Sequence, residues 1–250
     1  WSQAGLVSAE SSATKEAVGQ FERAIQALGR LPETNERAVR ELSARTDMTG
    51  PLLSVVGYAS ENMEDNFKHA LKLSEQTGET GGIFPILYGR FIFHLVTAKL
   101  PKAVELAEEF LNLAQSQDNP EPVMLGHRVL GMSKLFSGEL SSALKHVQGA
   151  VDTDLPENDR SAPFIFGQDI EAAARTIYSL TLSHIGYPEQ ALKIAYSSLK
   201  RAQKVDHPHS IAYALAFSAF GLSDWRRVEE LDLCLKQLKA VIAENPDLQL

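Results

Sequence analysis

Small side chains recur on one face of successive amphipathic helices at a long, nearly regular interval, and this recurrence constrains the chain most. Ala17, Phe21 and Ala24 stand at i, i+4 and i+7, which is one face of an α-helix. Ala103, Ala107 and Phe110 repeat the spacing, as do Ala143, Val147 and Ala150, and then Ala191, Ala195 and Ser198. Met63, Phe67 and Ala70 form a weaker copy. Taken in chain order, Ala17, Met63, Ala103, Ala143 and Ala191 lie 46, 40, 40 and 48 residues apart. A second element precedes each face. Gly5 stands twelve residues before Ala17, and Gly131 twelve before Ala143. Gly138, Gly186 and the stretch Lys99–Pro101 fall between paired helices, where turns belong.

A fixed period of this kind describes stacked helical hairpins. Small residues let two helices approach closely, and a larger side chain one turn on fills the remaining gap. Trp1 with Ala4-Gly5, followed by Ala17, Phe21 and Ala24, follows the pattern of a tetratricopeptide unit. The sequence therefore predicts an all-α fold. It would be a right-handed superhelix of antiparallel helix pairs, a TPR-like α-solenoid of about five to six repeats. The intervals exceed the ~34 residues usual for this repeat, so its helices or loops must be longer. We expect one domain over 1–250, with a possible subdivision at the polar loop 152–163. Helices are expected over 83–96 (apolar nearly all round), 140–151, 188–204, 209–220 and 224–243. Pro101, Pro188 and Pro208 suit helix starts, Asn35 and Asp224 suit N-caps, and Gly29 suits a C-cap. No alternating β-branched run predicts a strand.

Charge and cysteine usage narrow the function. Lys and Arg number 24 against 32 Asp and Glu, a formal charge of −8, which disfavours nucleic acid as a direct partner. Arg226-Arg227 is a lone basic pair. Cys234 is the one cysteine, which excludes an internal disulfide framework or a cysteine-rich zinc site and fits a cytoplasmic setting. No stretch approaches ~18 uninterrupted apolar residues, and the first residues lack the charge and hydropathy of a signal peptide. No membrane association is expected. Because the chain starts at Trp1 rather than Met, we read it as a fragment of a longer protein.

The sequence lacks a P-loop, a Gly-x-Gly-x-x-Gly turn, a His-Glu-x-x-His helix and a Gly-x-Ser-x-Gly elbow. Neither catalytic, cofactor-binding nor metal-binding residues are assigned. Cys234 shares its face with Leu231, Leu235 and Leu238, so a core role is expected. His207 and His209 flank Pro208, but a metal needs further ligands. Asp152 and Asp154 lack the spaced oxygens of a calcium loop. First helices should line a concave groove, and the candidate groove residues are Gln168, Asp169, Arg175, His127, Arg128, Arg90 and His94. For Gln168-Asp169 the competing role is a helix N-terminal cap. Trp1, Phe84, Tyr88, Phe91 and Phe93 concentrate aromatic surface, which we assign to packing between helices.

Several segments carry a resemblance. They are Trp1–Gly5, Leu31–Arg37, Gly57-Tyr58-Ala59, Phe84–Gly89, Gly126–Gly131, Phe166-Gly167-Gln168-Asp169, Gly186–Leu192 and Asp206–Ser210. In that order they resemble the C-terminal tetratricopeptide region of bacterial multidomain signalling proteins. Those proteins carry a class III adenylate/guanylate cyclase or DNA-binding domain, then an AAA/STAND-type ATPase. The resemblance implies a non-catalytic regulatory and protein-interaction module, with any cyclase or ATPase chemistry upstream of Trp1. The implied partner is a protein or peptide, such as the ATPase or effector domain of the same polypeptide. The alternative is a small-molecule sensor that binds its ligand in the groove. None of the family's catalytic residues has a matching position here.

Overall fold

The computed structural model describes residues 1–10, 13–57, 60–78, 83–117, 120–155, 168–246 and 248. Among these residues every regular element is a helix. In chain order they are α1 (Ser2–Glu10), α2 (Thr14–Leu28), α3 (Asn35–Val56), α4 (Glu61–Thr77), α5 (Ile83–Val96) and α6 (Leu100–Ser116). They continue as α7 (Pro120–Phe136), α8 (Leu140–Val151), α9 (Ile170–His184), α10 (Pro188–Val205), α11 (Pro208–Asp224) and α12 (Val228–Glu244). Odd-numbered helices are the first members of consecutive pairs, and even-numbered helices the second. The chain divides into two compact units, Trp1–Leu106 and Ala107–Leu250. The division falls inside α6. Residues 156–163 of the polar loop lie outside the described residues. The helices on either side of that loop, α8 and α9, pack together within the second unit.

The recurring small residues are fully enclosed, with Ala17, Ala103, Ala143 and Ala191 each 0% exposed. The paired glycines show why. A β-carbon at Gly5 would stand 2.9 Å from the Phe21 ring, and one at Gly131 would stand 2.6 Å from Val147 Cγ1. In both cases the first helix omits a side chain so that the second can insert one. At the matching place in α9 stands Ser179, whose hydroxyl donates to the Ala191 carbonyl at 2.7 Å. In the first unit, Gly89 of α5 similarly receives Phe67 of α4: a β-carbon there would meet the ring at 1.9 Å. Around these contacts Phe21, Leu42, Met48, Met63, Phe67 and Ile86 form one apolar core.

Punctuation follows the sequence at most points, Gly29 as the C-cap of α2 included, and departs at two, Asn35 and Asp224. Gly138 and Gly186 take φ of 79° and 94° at their turns, conformations that a β-carbon penalises. Gly29 does follow α2, but in the right-handed region at φ −60°. Thr34, rather than Asn35, accepts the early amide of α3, from Arg37 at 3.2 Å. Asp224 closes α11 instead of opening α12, because the chain reverses at Trp225–Arg227 with Arg226 at φ 56°. Phe84, Tyr88, Phe91 and Phe93 are buried as expected, whereas Trp1 is 62% exposed and lies under the Arg23 guanidinium. Cys234 is buried, and its thiol donates to the Leu215 carbonyl at 3.2 Å. Burial pushes its pKa up, so the thiol stays protonated and unreactive.

Candidate functional site

Three sequence candidates of the second unit, Gln168, Asp169 and Arg175, lie at the start of α9. Asp169 is its N-cap: Oδ1 accepts the Ala172 amide at 2.7 Å. The same carboxylate takes both arms of Arg201 from α10, Nε at 3.3 Å and an η-nitrogen at 3.0 Å. The second η-nitrogen of Arg201 reaches Glu171 at 3.0 Å, and Glu171 in turn holds Arg175 one turn along α9. Burial works against the Arg201 charge, but Asp169 and Glu171 outweigh it and raise its pKa. The result is an alternating chain, Asp169–Arg201–Glu171–Arg175, running from buried to partly exposed. The side chain of Asp169 is 4% exposed and that of Arg175 is 24% exposed. Gln168 is buried beside Asp169.

The start of α11 completes this polar core. The Asp169 backbone amide donates to Ser210 Oγ at 2.8 Å. His207 Nδ1 lies 2.9 Å from the same hydroxyl and caps α11. Burial lowers the pKa of His207, with Asp169 opposing. His209 is pushed down to about 4, first by burial and then by the charges of His207 and Arg128. It is therefore neutral near pH 7 and stacks on Tyr213. Arg128 of α7 is 1% exposed, among the largest fully buried side chains.

The remaining candidates stand apart. His127 of α7 faces His146 of α8, with their Nδ1 atoms 3.2 Å apart. Burial lowers the pKa of both rings, and Lys145 adds to the effect. Two neutral imidazoles share one proton across such a gap. Arg90 and His94 belong to α5 in the first unit. Burial and Lys99 lower the His94 pKa, with Glu64 opposing. Among the described residues no group of three or more metal-ligating side chains assembles. No described helix is long and apolar enough to cross a membrane.

Within the second unit the structure thus unites Asp169 and Arg175 with residues that were not sequence candidates, Arg201, Glu171 and Ser210, while Arg128 is near enough to His209 for its charge to act there. The Glu171–Arg175 pair has the readable i,i+4 spacing. The Asp169–Arg201 pair spans 32 residues and leaves no local signal. A cleft lined by Ser179, Leu192, Ala195, Phe217 and Trp225 has a volume of about 10 Å³, room for one water.

Comparison with solved structures decides the architecture. No protein-family model matches the sequence, and no curated protein matches it. A Rap protein crystallised in complex with competence and sporulation factor superposes over 97% of this chain, with a TM-score of 0.63 and 11% identity. This chain covers 64% of that protein. BtubC (BKLC) from P. vanneervenii superposes over 95% of this chain and 94% of its own, with a TM-score of 0.62 and 12% identity. The nearly identical TPR-like repeats of a putative kinesin light chain from Podosopora anserina give a TM-score of 0.55 at 13% identity. They cover 86% of this chain and 99% of their own. The fold is a tetratricopeptide-like helical repeat. Stacked repeats of this kind create extended concave surfaces.

Proposed function

We propose that this TPR-like chain is a non-catalytic protein- or peptide-binding module of a bacterial cytoplasmic signalling protein. Its partner would be the ATPase or effector domain that the sequence resemblance places upstream. The observation that carries this reading is the face of α9. Glu171, Arg175 and Tyr178 are its partly exposed residues along one stripe, while the residues between them are buried. Arg201, itself held by Asp169, pairs with Glu171, and Tyr178 accepts from Gln148. A pre-ordered charged and aromatic stripe on a first helix suits an extended peptide, because little side-chain entropy is lost on binding. The Rap neighbour, seen with its competence and sporulation factor, supports the same use of such a fold.

In this arrangement Arg175 is the contact residue. Asp169 supports it from the buried side through Arg201 and Glu171; Gln168, His127 and Arg128 are further candidates in the same unit, and Arg90 and His94 are candidates of the first unit taken by itself. The test is photo-crosslinking from a benzoylphenylalanine at position 175, in the natural polypeptide that contains this segment. Crosslinks to the upstream domain or to a bound peptide are expected. Crosslinking confined to solvent, with Arg175→Glu leaving regulation unchanged, would overturn the proposal.

A further inference from the structure

Among the described residues, α12 presents an apolar stripe that the rest of the second unit leaves partly exposed. On α12, Leu231, Cys234, Leu238 and Val241 turn inward and pack with Leu215 and Leu222. Next to that buried face, Val228, Leu235 and Ile242 follow one another at intervals of seven, so they lie nearly one above another along the helix. They are 65%, 38% and 39% exposed. Single exposed hydrophobics are ordinary, but three in register form a seam of the kind that pairs helices.

The charges beside the seam are ordered. Its N-terminal half carries Glu229 and Asp232, and its C-terminal half carries Lys236 and Lys239. Asp232 and Lys236 are both well exposed and pair with each other along the helix. The stripe is also symmetric about Leu235, with Val228 seven residues before it and Ile242 seven after. An antiparallel copy of the same helix would set Val228 against Ile242, Leu235 against Leu235, and Asp232 against Lys239. Self-complementarity of this kind is what a two-fold interface demands.

We propose that α12 is the docking surface for a second copy of this chain, paired antiparallel about Leu235. One helix pair buries less than a standard interface of ~1,600 Å². The dimer is therefore weak and reversible, to be sought at chain concentrations of ~10–1,000 μM. The proposal is independent of the peptide-binding reading, since α9 and α12 are different surfaces.

Sedimentation equilibrium on the 250-residue chain across that concentration range is the experiment. A monomer–dimer equilibrium is expected, weakened at least about tenfold by Leu235→Asp. Asp232→Lys alone and Lys239→Asp alone should each weaken it, by placing like charges opposite each other. The double variant Asp232→Lys with Lys239→Asp should restore it, because the reversed charges again face each other across the two-fold. Thermal unfolding of each variant establishes that the fold persists. A chain that stays monomeric throughout would overturn the proposal. So would a dimer indifferent to Leu235→Asp, or a double variant no better than its parents.

Discussion

Within Trp1–Leu106 the buried polar side chains among the described residues are Asn66 and Ser74, whereas Ala107–Leu250 buries Arg128, Gln168, Asp169, Thr176, Ser198 and Ser210 among others. The first unit closes with aromatic rings seated on glycine, as at Gly5–Phe21 and Gly89–Phe67. The second unit uses hydrogen bonds at comparable depth. Ser198 donates to the Ala172 carbonyl at 2.7 Å and also meets Thr176, while Asp169 holds Arg201. Apolar contacts are tolerant of direction. A buried hydroxyl or carboxylate is costly unless its partner is in place. The second unit therefore fixes its helices more specifically and is more vulnerable to the loss of one polar atom. Ordered polar side chains on a first helix are also what recognition of a partner needs, and they reach the surface there at Glu171 and Arg175.

The contrast is sharpest at Asp169. Replacing it with Ala removes the cap of α9 and one of the two carboxylates that hold Arg201, at a cost of about 2–4 kcal/mol. Asp169→Asn keeps a good cap and loses only the charge, so it should fall between wild type and Asp169→Ala. Urea unfolding of the three proteins measures this. An Ala variant as stable as wild type would remove the polar core from the account of the second unit.

Acid should act unequally on the two units. His209 titrates at about 4 in the folded protein and near 6.5 when unfolded. Between those values the unfolded chain binds more protons, so the stabilisation present above pH 6.5 is lost as pH falls towards 4. The full loss from His209 is about 3 kcal/mol. His127, His146 and His207 are lowered in the same unit, against His94 alone in the first. Hydrogen exchange at pH 5 should show amides of α11 opening before those of α4, and His209→Gln should flatten that dependence. Equal opening of both helices at pH 5 would contradict the comparison.

The first unit should fail through crowding instead. Gly89→Ala places a methyl where the Phe67 ring lies, at an expected cost of about 1–3 kcal/mol. Phe67→Leu added to it should recover part of the loss, because the smaller side chain vacates the contact. Thermal unfolding of the single and double variants decides whether the two residues are coupled.

The helix pairs were legible because close packing writes a period into the chain. Each enclosed alanine needs its own glycine, serine or turn at a fixed distance, and those residues are visible without a structure. Caps were less legible. Asp224 looked like a helix start because Asp is favoured there, yet Trp225–Arg227 make the turn without a glycine. Local rules would also end α3 before Pro51, but the helix runs through it. Within the site, Asp169 was visible as a cap and Arg175 as a helical charge. Arg201 was not, since an ion pair across 32 residues depends on how two hairpins meet.

The smallest effect probes whether the two packing devices are interchangeable. Ser179 stands where Gly131 stands in the preceding pair, and each faces a second helix bearing Ala195 or Val147 at the matching point. Ser179→Ala removes the bond to the Ala191 carbonyl but leaves that carbonyl its place in the α10 ladder. The loss should be about 0.5–1 kcal/mol. The reverse exchange is not symmetric. Gly131→Ser drives a β-carbon into Val147 and should cost more than Ser179→Ala, until Val147→Ala makes room and lets the new hydroxyl approach the Ala143 carbonyl. If the double variant Gly131→Ser with Val147→Ala unfolds no later than Gly131→Ser alone, glycine and serine are not alternative solutions at this position. The repeats would then share a backbone geometry without sharing a packing rule.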